Sequence, residues 1–220
     1  MFTKPRLGLL FSVLSLFVLL SACTFLEMFQ PMPGRPLLTP TPISRVRVQV
    51  HANMLGDVTA PITVEEYVDF QCPACGDFAR DTLQDIKEKY VKTGQVKLVL
   101  HHYAFIGEES TRAAEASECA NEQGKFWEYA DVLFHNQAGE NQGAFADAKL
   151  EGFAEELRLN MDEFKACLAD RRHLSKIQAS IEEGAARGIN SVPTLFINGQ
   201  MVRGALSLEK FEEYLTPHLK

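Results

Sequence analysis

Two cysteines separated by two residues, Cys72 and Cys75, lie where a strand pattern gives way to a helix pattern. The run before them, residues 62–70, is apolar enough in its second half to suit a strand inside a sheet. Apolar residues recur at helical spacing after them, and residues 95–101 return to a strand pattern. A strand, helix and strand of this length pair their strands in parallel through a right-handed crossover. The chain is therefore predicted to be an α/β protein.

The rest of the chain divides into a helical region and a closing pair of strands. Helical periodicity runs from about residue 108 to about residue 188, with Ser110 as the predicted N-cap of its first helix. Asn198 and Gly199 then separate two short apolar runs, which predicts a hairpin because both residues of its turn need positive φ. Residues 45–51 alternate polar with apolar and predict one further strand ahead of the cysteine pair.

The first residues have the pattern of an export signal. Lys4 and Arg6 precede an uncharged apolar run over residues 7–20, which is shorter than the roughly twenty helical residues needed to cross a bilayer. The run closes with Leu-Ser-Ala-Cys ending at Cys23, which resembles the lipobox of bacterial lipoproteins. We expect residues 1–22 to be a lipoprotein signal peptide and Cys23 to carry lipid. An ordinary signal peptide followed by a cysteine by chance is the alternative.

A proline-rich segment separates the expected lipid anchor from the folded domain. Residues 23–44 hold five prolines and few strand or helix signals. Because proline fixes φ and has no N–H to donate, this segment is predicted to be an extended tether. The folded domain is then expected to span residues 45–220.

Composition restricts the class of protein. The chain is 46% hydrophobic and 23% charged, as in an ordinary soluble globular domain. Its net charge of −7 disfavours a nucleic-acid binder, because a run of phosphates would meet no matching positive charge.

The cysteine pair has the spacing of a redox site. Cys72 would lie at a helix N-terminus, where unpaired N–H groups and the helix dipole stabilise a thiolate, and Pro73 suits the first helical position. Cys72 is then the nucleophile, and Cys75, one turn deeper, resolves the mixed disulfide. A zinc half-site or a static disulfide are the alternatives. Zinc would need a second close pair of ligands, and the histidines of the chain suggest no metal site.

Three motifs resemble one family. Residues 69–75 and residues 191–199 are similar to the active-site and cis-proline segments of DsbA-type thiol-disulfide oxidoreductases in the thioredoxin superfamily, in the branch of BdbD-like proteins. Residues 122–129 resemble the helical insertion of that branch. The similarity runs from about residue 57 to the C-terminus, and the motifs occur in the family's order.

The resemblance implies a thioredoxin fold with a helical subdomain, about residues 108–188, inserted before the cis-proline strand. Pro193 matches the cis-proline, which with the Val192 backbone would hold a substrate chain as an added strand. Glu66 matches a buried acid that can relay a proton to the deeper cysteine. A simple strand start would also explain Val192-Pro193, and strand alternation alone would point either Glu65 or Glu66 inward.

One residue departs from the family's strongest oxidants. They carry histidine before the second cysteine, and this chain has Ala74. Loss of the imidazole donor should raise the pKa of Cys72 and make the disulfide less oxidising.

The remaining cysteines, Cys119 and Cys167, fall on predicted helices over residues 110–123 and 162–170. We expect a structural disulfide that pins the helical insertion, with a stabilisation of roughly 2 to 4 kcal/mol. Two buried free thiols are the alternative.

These observations lead to an expected function. The chain would be a lipid-anchored, extracytoplasmic and monomeric oxidoreductase that donates a Cys72–Cys75 disulfide to exported client proteins containing cysteines. The resemblance implies reoxidation by a membrane partner of the DsbB or vitamin K epoxide reductase (VKOR) type, and no organic cofactor is required. One alternative is a reductase or isomerase kept reduced by a membrane donor, and another is a thiol-based holdase or metal chaperone.

Overall fold

The computed structural model describes residues 49–219. The expected signal peptide over residues 1–22, the lipid site at Cys23 and the tether over residues 23–44 lie outside the described residues. Of the strand predicted over residues 45–51, the structure describes the last three residues, which form a strand.

Within residues 49–219, six strands form one mixed sheet in the spatial order β1-β2-β4-β3-β5-β6. Adjacent strands are antiparallel except β3 and β4, which are parallel as predicted. The strands are β1 (Gln49–His51), β2 (Met54–Gly56), β3 (Ile62–Val68), β4 (Val96–His102), β5 (Thr194–Ile197) and β6 (Gln200–Arg203).

Helices cover the sheet and form the insertion. Before β4 lie α1 (Pro73–Arg80) and α2 (Thr82–Ile86), the latter continued by a π-helical turn (Lys87–Val91). In the described part of the chain, five α-helices stand between β4 and β5, and one α-helix and a 3₁₀ turn (Thr216–His218) follow β6. These α-helices are α3 (Glu108–Asn121), α4 (Phe126–His135), α5 (Asp147–Glu156), α6 (Met161–Ala169), α7 (Leu174–Ala186) and α8 (Leu208–Leu215).

The position of β3 in the sheet brings the site together. It pairs with β4 on one side and β5 on the other, and the second half of the strand is buried on both faces. Tyr67, one residue from the end of β3, pairs with Thr194, the first residue of β5. The residues that follow β3 therefore lie at the same sheet edge as the residues that precede β5. Cys72 belongs to the first group and Pro193 to the second.

The insertion has its own aromatic core. Phe126, Tyr129 and Leu133 of α4 are fully buried, and Phe164 of α6 packs against Tyr129 with ring centroids 5.6 Å apart. A disulfide joins Cys119 of α3 to Cys167 of α6. Both sulfurs belong to buried residues, so this covalent bond lies inside the packed helices.

The hairpin prediction is confirmed, and the N-cap prediction at Ser110 is wrong. Asn198 and Gly199 have φ values of 47° and 84°, as their turn requires. The first helix of the insertion begins at Glu108 with Gly107 as its N-cap residue, so Ser110 lies inside the first turn. Its hydroxyl is buried and donates to the Asp69 carboxylate, and it does not accept an N–H at the helix start as an N-cap residue would. A tertiary contact overrides the local capping preference.

His102, one of the histidines to which the sequence assigns no role, links the sheet to helices of the insertion. Nε2 of His102, at the end of β4, lies 2.9 Å from a carboxylate oxygen of Glu118 on α3, and both residues are buried. The carboxylate also accepts from Lys176 of α7. These contacts tie α3 and α7 to the sheet.

Candidate active site

Cys72 occupies the position that the sequence predicts for it. It is the N-cap residue of α1, and Pro73 is the first helical residue. The Cys72 N–H donates to the carbonyl of Asp69 over 3.0 Å, and the Cys72 carbonyl accepts from the N–H of Gly76 over 3.1 Å. Cys75 lies one turn into the helix, and both residues carry free thiols. Cys72 is 9% exposed and Cys75 is fully buried, so a partner can approach only the first sulfur.

The donors at the start of α1 lower the pKa of Cys72 to about 7. The Cys75 thiol makes the largest contribution by donating to the Cys72 sulfur, and the backbone N–H groups of Cys75 and Ala74 add to it. Burial and the charge of Asp69 act in the opposite direction. Ala74 therefore contributes through its backbone although its side chain has no donor.

Cys75 has the opposite electrostatic environment. Burial raises its pKa well above the ordinary value of 9, and the hydrogen bond to Cys72 and the Cys72 charge raise it further. The charge of Glu66 also raises it. Near neutral pH the pair therefore holds one partly ionised sulfur, on Cys72, and one protonated sulfur, on Cys75.

The loop before β5 faces Cys72. The Val192-Pro193 peptide bond is cis, and the Val192 carbonyl lies 3.6 Å from Sγ of Cys72. Two hydrogen bonds hold this loop in place, one from the Thr194 hydroxyl to the Ser191 carbonyl and one from the Gly204 N–H to the Pro193 carbonyl. The structure thus brings Val192 and Pro193 beside the exposed side of the thiol pair.

Glu66 points into the protein from β3. It is 4% exposed, and Oε1 of its carboxyl group has no hydrogen-bond partner among the described residues. Burial raises the pKa of Glu66 to about 8, against a smaller opposing effect of the Lys87 charge. Its neighbour Glu65 lies on the other face of the strand, where it forms an ion pair with Arg187. The two adjacent glutamates therefore have different environments because they project from opposite faces of β3.

An amide side chain from the insertion holds the loop that carries Cys72. Nε2 of Gln137, just after α4, donates to the carbonyls of Phe70 over 2.8 Å and of Cys72 over 3.0 Å. A Cβ at position 76 would collide with the amide of Gln137 in this position, so Gly76 leaves room for the Gln137 side chain as the structure places it. Sequence reasoning missed Gln137, and its only local signal is the glycine after the second cysteine.

A second missed group lies just upstream of the pair. The Asp69 carboxylate is buried and accepts hydrogen bonds from the Gln71 N–H and the Ser110 hydroxyl, among others. The side chain of Gln71 in turn bonds to Ser110 and Asn141. Asp69 belongs to the motif that carries the family resemblance, but nothing in its local pattern predicts this network.

Cys119 and Cys167 belong to another part of the fold. Their sulfurs and a ring nitrogen of His173 lie within 4.8 Å of one another, the spacing of a metal site. Because the two sulfurs are bonded to each other, they are not available as thiolate ligands.

Comparison with known proteins agrees with this geometry. The family model described as Thioredoxin matches residues 49–216. The chain belongs to the thioredoxin family. It is 25% identical over 170 residues to disulfide bond formation protein D of Bacillus subtilis, covering 76% of this chain and 77% of that protein. The crystal structure of oxidised BdbD from Bacillus subtilis superposes with a TM-score of 0.71 at 24% identity, covering 76% of this chain and 92% of that one.

A longer relative carries a different name. The chain is 36% identical over 165 residues to Na(+)/H(+) antiporter NhaA 1 of Salinispora arenicola, a match that covers 73% of this chain but 24% of that protein. The chain thus spans about a quarter of that relative's length, and ion transport is not transferred to it. In the described part of the chain, no helix has the length and apolar character needed to cross a membrane.

These findings confirm the predicted α/β thioredoxin fold. The similarity to disulfide bond formation protein D supports the predicted class of DsbA-like thiol-disulfide oxidoreductase. The roles of the individual site residues remain predictions that the geometry makes testable.

Glu66 gives one such test. Its pKa is about 8 in the folded protein against an ordinary 4.5, so the stability linked to it is complete below pH 4.5 and is lost as the pH rises through 8. Glu66→Gln is expected to remove this loss. Between pH 4.5 and 8 the free energy of unfolding of wild type should fall relative to that of the variant by about 4 kcal/mol. Urea unfolding at both pH values measures the difference.

Glu65→Gln is the matched control. The His101 ring, whose Nε2 lies 3.3 Å from Oε2 of Glu65, and the Arg187 guanidinium hold the pKa of Glu65 at about 2, so its stability contribution is lost only as the pH falls from 4.5 through 2. This variant should be less stable than wild type but keep the wild-type pH slope above pH 4.5. An equal slope in wild type and Glu66→Gln would show that Glu66 is not a raised-pKa acid.

Proposed function

We propose that the protein donates its Cys72–Cys75 disulfide to exported client proteins during oxidative folding. The observation that carries this proposal is the asymmetry of the pair. Cys72 is the sulfur that a partner can approach, and its pKa is lowered to about 7, whereas Cys75 is fully buried with a raised pKa. Such a pair directs attack to one sulfur and lets the other close the disulfide.

The exchange proceeds in two steps. A client thiolate attacks Sγ of Cys72, the Cys72–Cys75 bond breaks, and the Cys75 sulfur leaves with the electron pair and takes up a proton. A second client thiolate then attacks the client sulfur of the mixed disulfide and releases Cys72 as a thiolate. The client loses two electrons and gains a disulfide, and the enzyme gains two electrons and becomes a dithiol.

The surrounding residues have distinct parts in this scheme. The Val192 backbone and Pro193 would hold the client chain against Cys72 as an added strand, which fits the 3.6 Å distance from the Val192 carbonyl to the sulfur. Glu66 would supply the proton that Cys75 takes up, because its carboxyl group is neutral near pH 7 and lies in the same buried region. The Cys119–Cys167 disulfide would act only by stabilising the insertion.

The pKa of Cys72 also supports a second direction of electron flow. A value of about 7 equals that of thioredoxin, whereas DsbA lies near 3.5. A higher pKa means a less stabilised thiolate and a weaker oxidant. A reductase or isomerase kept as the dithiol by a membrane donor is therefore the second candidate.

A redox titration against glutathione separates the two directions. We expect a potential clearly above that of thioredoxin, about −270 mV, and below or near that of DsbA, about −120 mV. A value at or below about −270 mV would contradict the oxidase and favour the reductase. Cys75→Ser should also trap clients as mixed disulfides on Cys72, with Cys72→Ser/Cys75→Ser as the control. No trapped species, together with stoichiometric copper or zinc binding, would indicate a metal chaperone.

The location follows from the N-terminal sequence. We propose cleavage before Cys23, lipid attachment to that residue, and a tether over residues 23–44 that carries the domain outside the cytoplasm. Reoxidation would come from a membrane protein of the DsbB or VKOR type, which the family resemblance implies.

The anchor has a direct test. Cys23→Ser is expected to move the protein from the membrane fraction to the soluble extracytoplasmic fraction. The matched control is Thr24→Ser, which changes the next residue and should leave the protein with the membranes. Equal fractionation of the two variants, with the signal peptide removed from both, would rule out the lipid.

A further inference from the structure

The Asp69 carboxylate is a buried charge three residues before Cys72. It is 1% exposed and accepts four hydrogen bonds. Oδ1 accepts from the Gln71 N–H over 2.8 Å and from the Ser110 hydroxyl over 2.6 Å. Oδ2 accepts from the N–H groups of Phe105 over 2.9 Å and Ile106 over 3.0 Å. These donors come from three segments, namely the turn before α1, the loop after β4 and helix α3.

The donors satisfy this carboxylate without neutralising it. In the described part of the chain no lysine, arginine or histidine forms an ion pair with Asp69. The loop before α1 thus carries a buried carboxylate that has hydrogen-bond donors around it and no cationic partner among the described residues.

That carboxylate lies on the turn that leads into Cys72. The Asp69 carbonyl accepts the Cys72 N–H, and the Asp69 side chain accepts the N–H of Gln71, the residue next to Cys72. The carboxylate is therefore fixed close in the chain to the residue whose thiolate forms when the disulfide is reduced. Like charges at one site oppose each other's ionisation, and the charge of Asp69 raises the pKa of Cys72.

We propose that Asp69 is a positioning residue with two effects on the Cys72–Cys75 couple: its hydrogen bonds hold the active-site loop, and its charge limits how strongly the disulfide oxidises clients. The inference rests on the proposed function in one respect, namely that Cys72 is the sulfur a client attacks and the enzyme later releases. The charge opposes the Cys72 thiolate, which is present only in the reduced enzyme. Removal of the Asp69 charge should stabilise the dithiol form relative to the disulfide, which makes the Cys72–Cys75 disulfide a stronger oxidant.

Asp69→Asn tests the charge with little change in shape. Whichever way the amide is turned, its NH₂ group faces a backbone N–H, of Gln71 or of Phe105 and Ile106, so the variant also loses part of the network. Two control variants separate that loss from the loss of charge. Ser110→Ala removes one donor and leaves the charge. Glu109→Gln makes the same acid-to-amide change on a carboxylate that accepts the N–H groups of Gly143 and Phe145.

The readouts are the equilibrium constant with glutathione and the pH titration of thiolate absorbance near 240 nm. We expect Asp69→Asn to shift the equilibrium constant about tenfold toward the dithiol, which is about 30 mV, and to lower the midpoint of the Cys72 titration. Ser110→Ala and Glu109→Gln should stay within about twofold of wild type. If Asp69 acted only through its hydrogen bonds, Asp69→Asn and Ser110→Ala would both lose stability. Neither variant would then have a Cys72–Cys75 couple that is more oxidising than that of wild type.

Three outcomes would overturn the proposal. In one, Asp69→Asn leaves both readouts unchanged or shifts them the other way. In another, Ser110→Ala produces the same shift as Asp69→Asn. In the third, neither Asp69→Asn nor Asp69→Ser folds, which would make the residue structural only. The proposed function is tested by the absolute potential of wild type and the Asp69 proposal by the difference between variants, so either can fail alone.

Discussion

The placement of the two thiols at the start of α1 is the constraint on which the site depends. α1 begins at Pro73, directly after Cys72, and carries Cys75 round to the same side one turn later, where the Cys75 thiol lowers the pKa of Cys72. The same geometry buries Cys75 completely and leaves Cys72 slightly exposed. One helical turn thus creates two thiols of unequal acidity from two identical side chains.

The rest of the fold keeps that turn in place. Strand pairing brings the Val192-Pro193 loop to the open side of Cys72, and the insertion reaches the other side with Gln137. The amide of Gln137 holds the carbonyls of the loop, and Gly76 leaves room for it. The insertion therefore does more than pack against the sheet, because its hydrogen bonds fix the backbone conformation of the loop that carries Cys72.

Local patterns predicted the parts of this structure that depend on nearby residues. The strand before the pair, the parallel crossover and the turn at Asn198 and Gly199 follow from periodicity and backbone preference. Ser110 shows where such reasoning fails, because its hydroxyl bonds to Asp69, which is 41 residues away in the chain. Gln137 and Asp69 were missed for the same reason, since their partners meet only after the insertion has packed against the sheet. Glu66 was identified by resemblance, but only the register of β3 shows that it, and not Glu65, points inward.

We expect the two thiols to ionise separately, Cys72 first and Cys75 only at much higher pH. The most direct test is an NMR titration of the reduced, wild-type domain with carbon-13 at the cysteine Cβ atoms. The Cys72 signal should titrate with a pKa of about 7, and the Cys75 signal should stay in its protonated position until well above pH 9. The Cys119 and Cys167 signals, held in their disulfide, provide an internal reference that does not titrate. Ionisation of Cys75 before Cys72, or of both thiols together, would contradict the account.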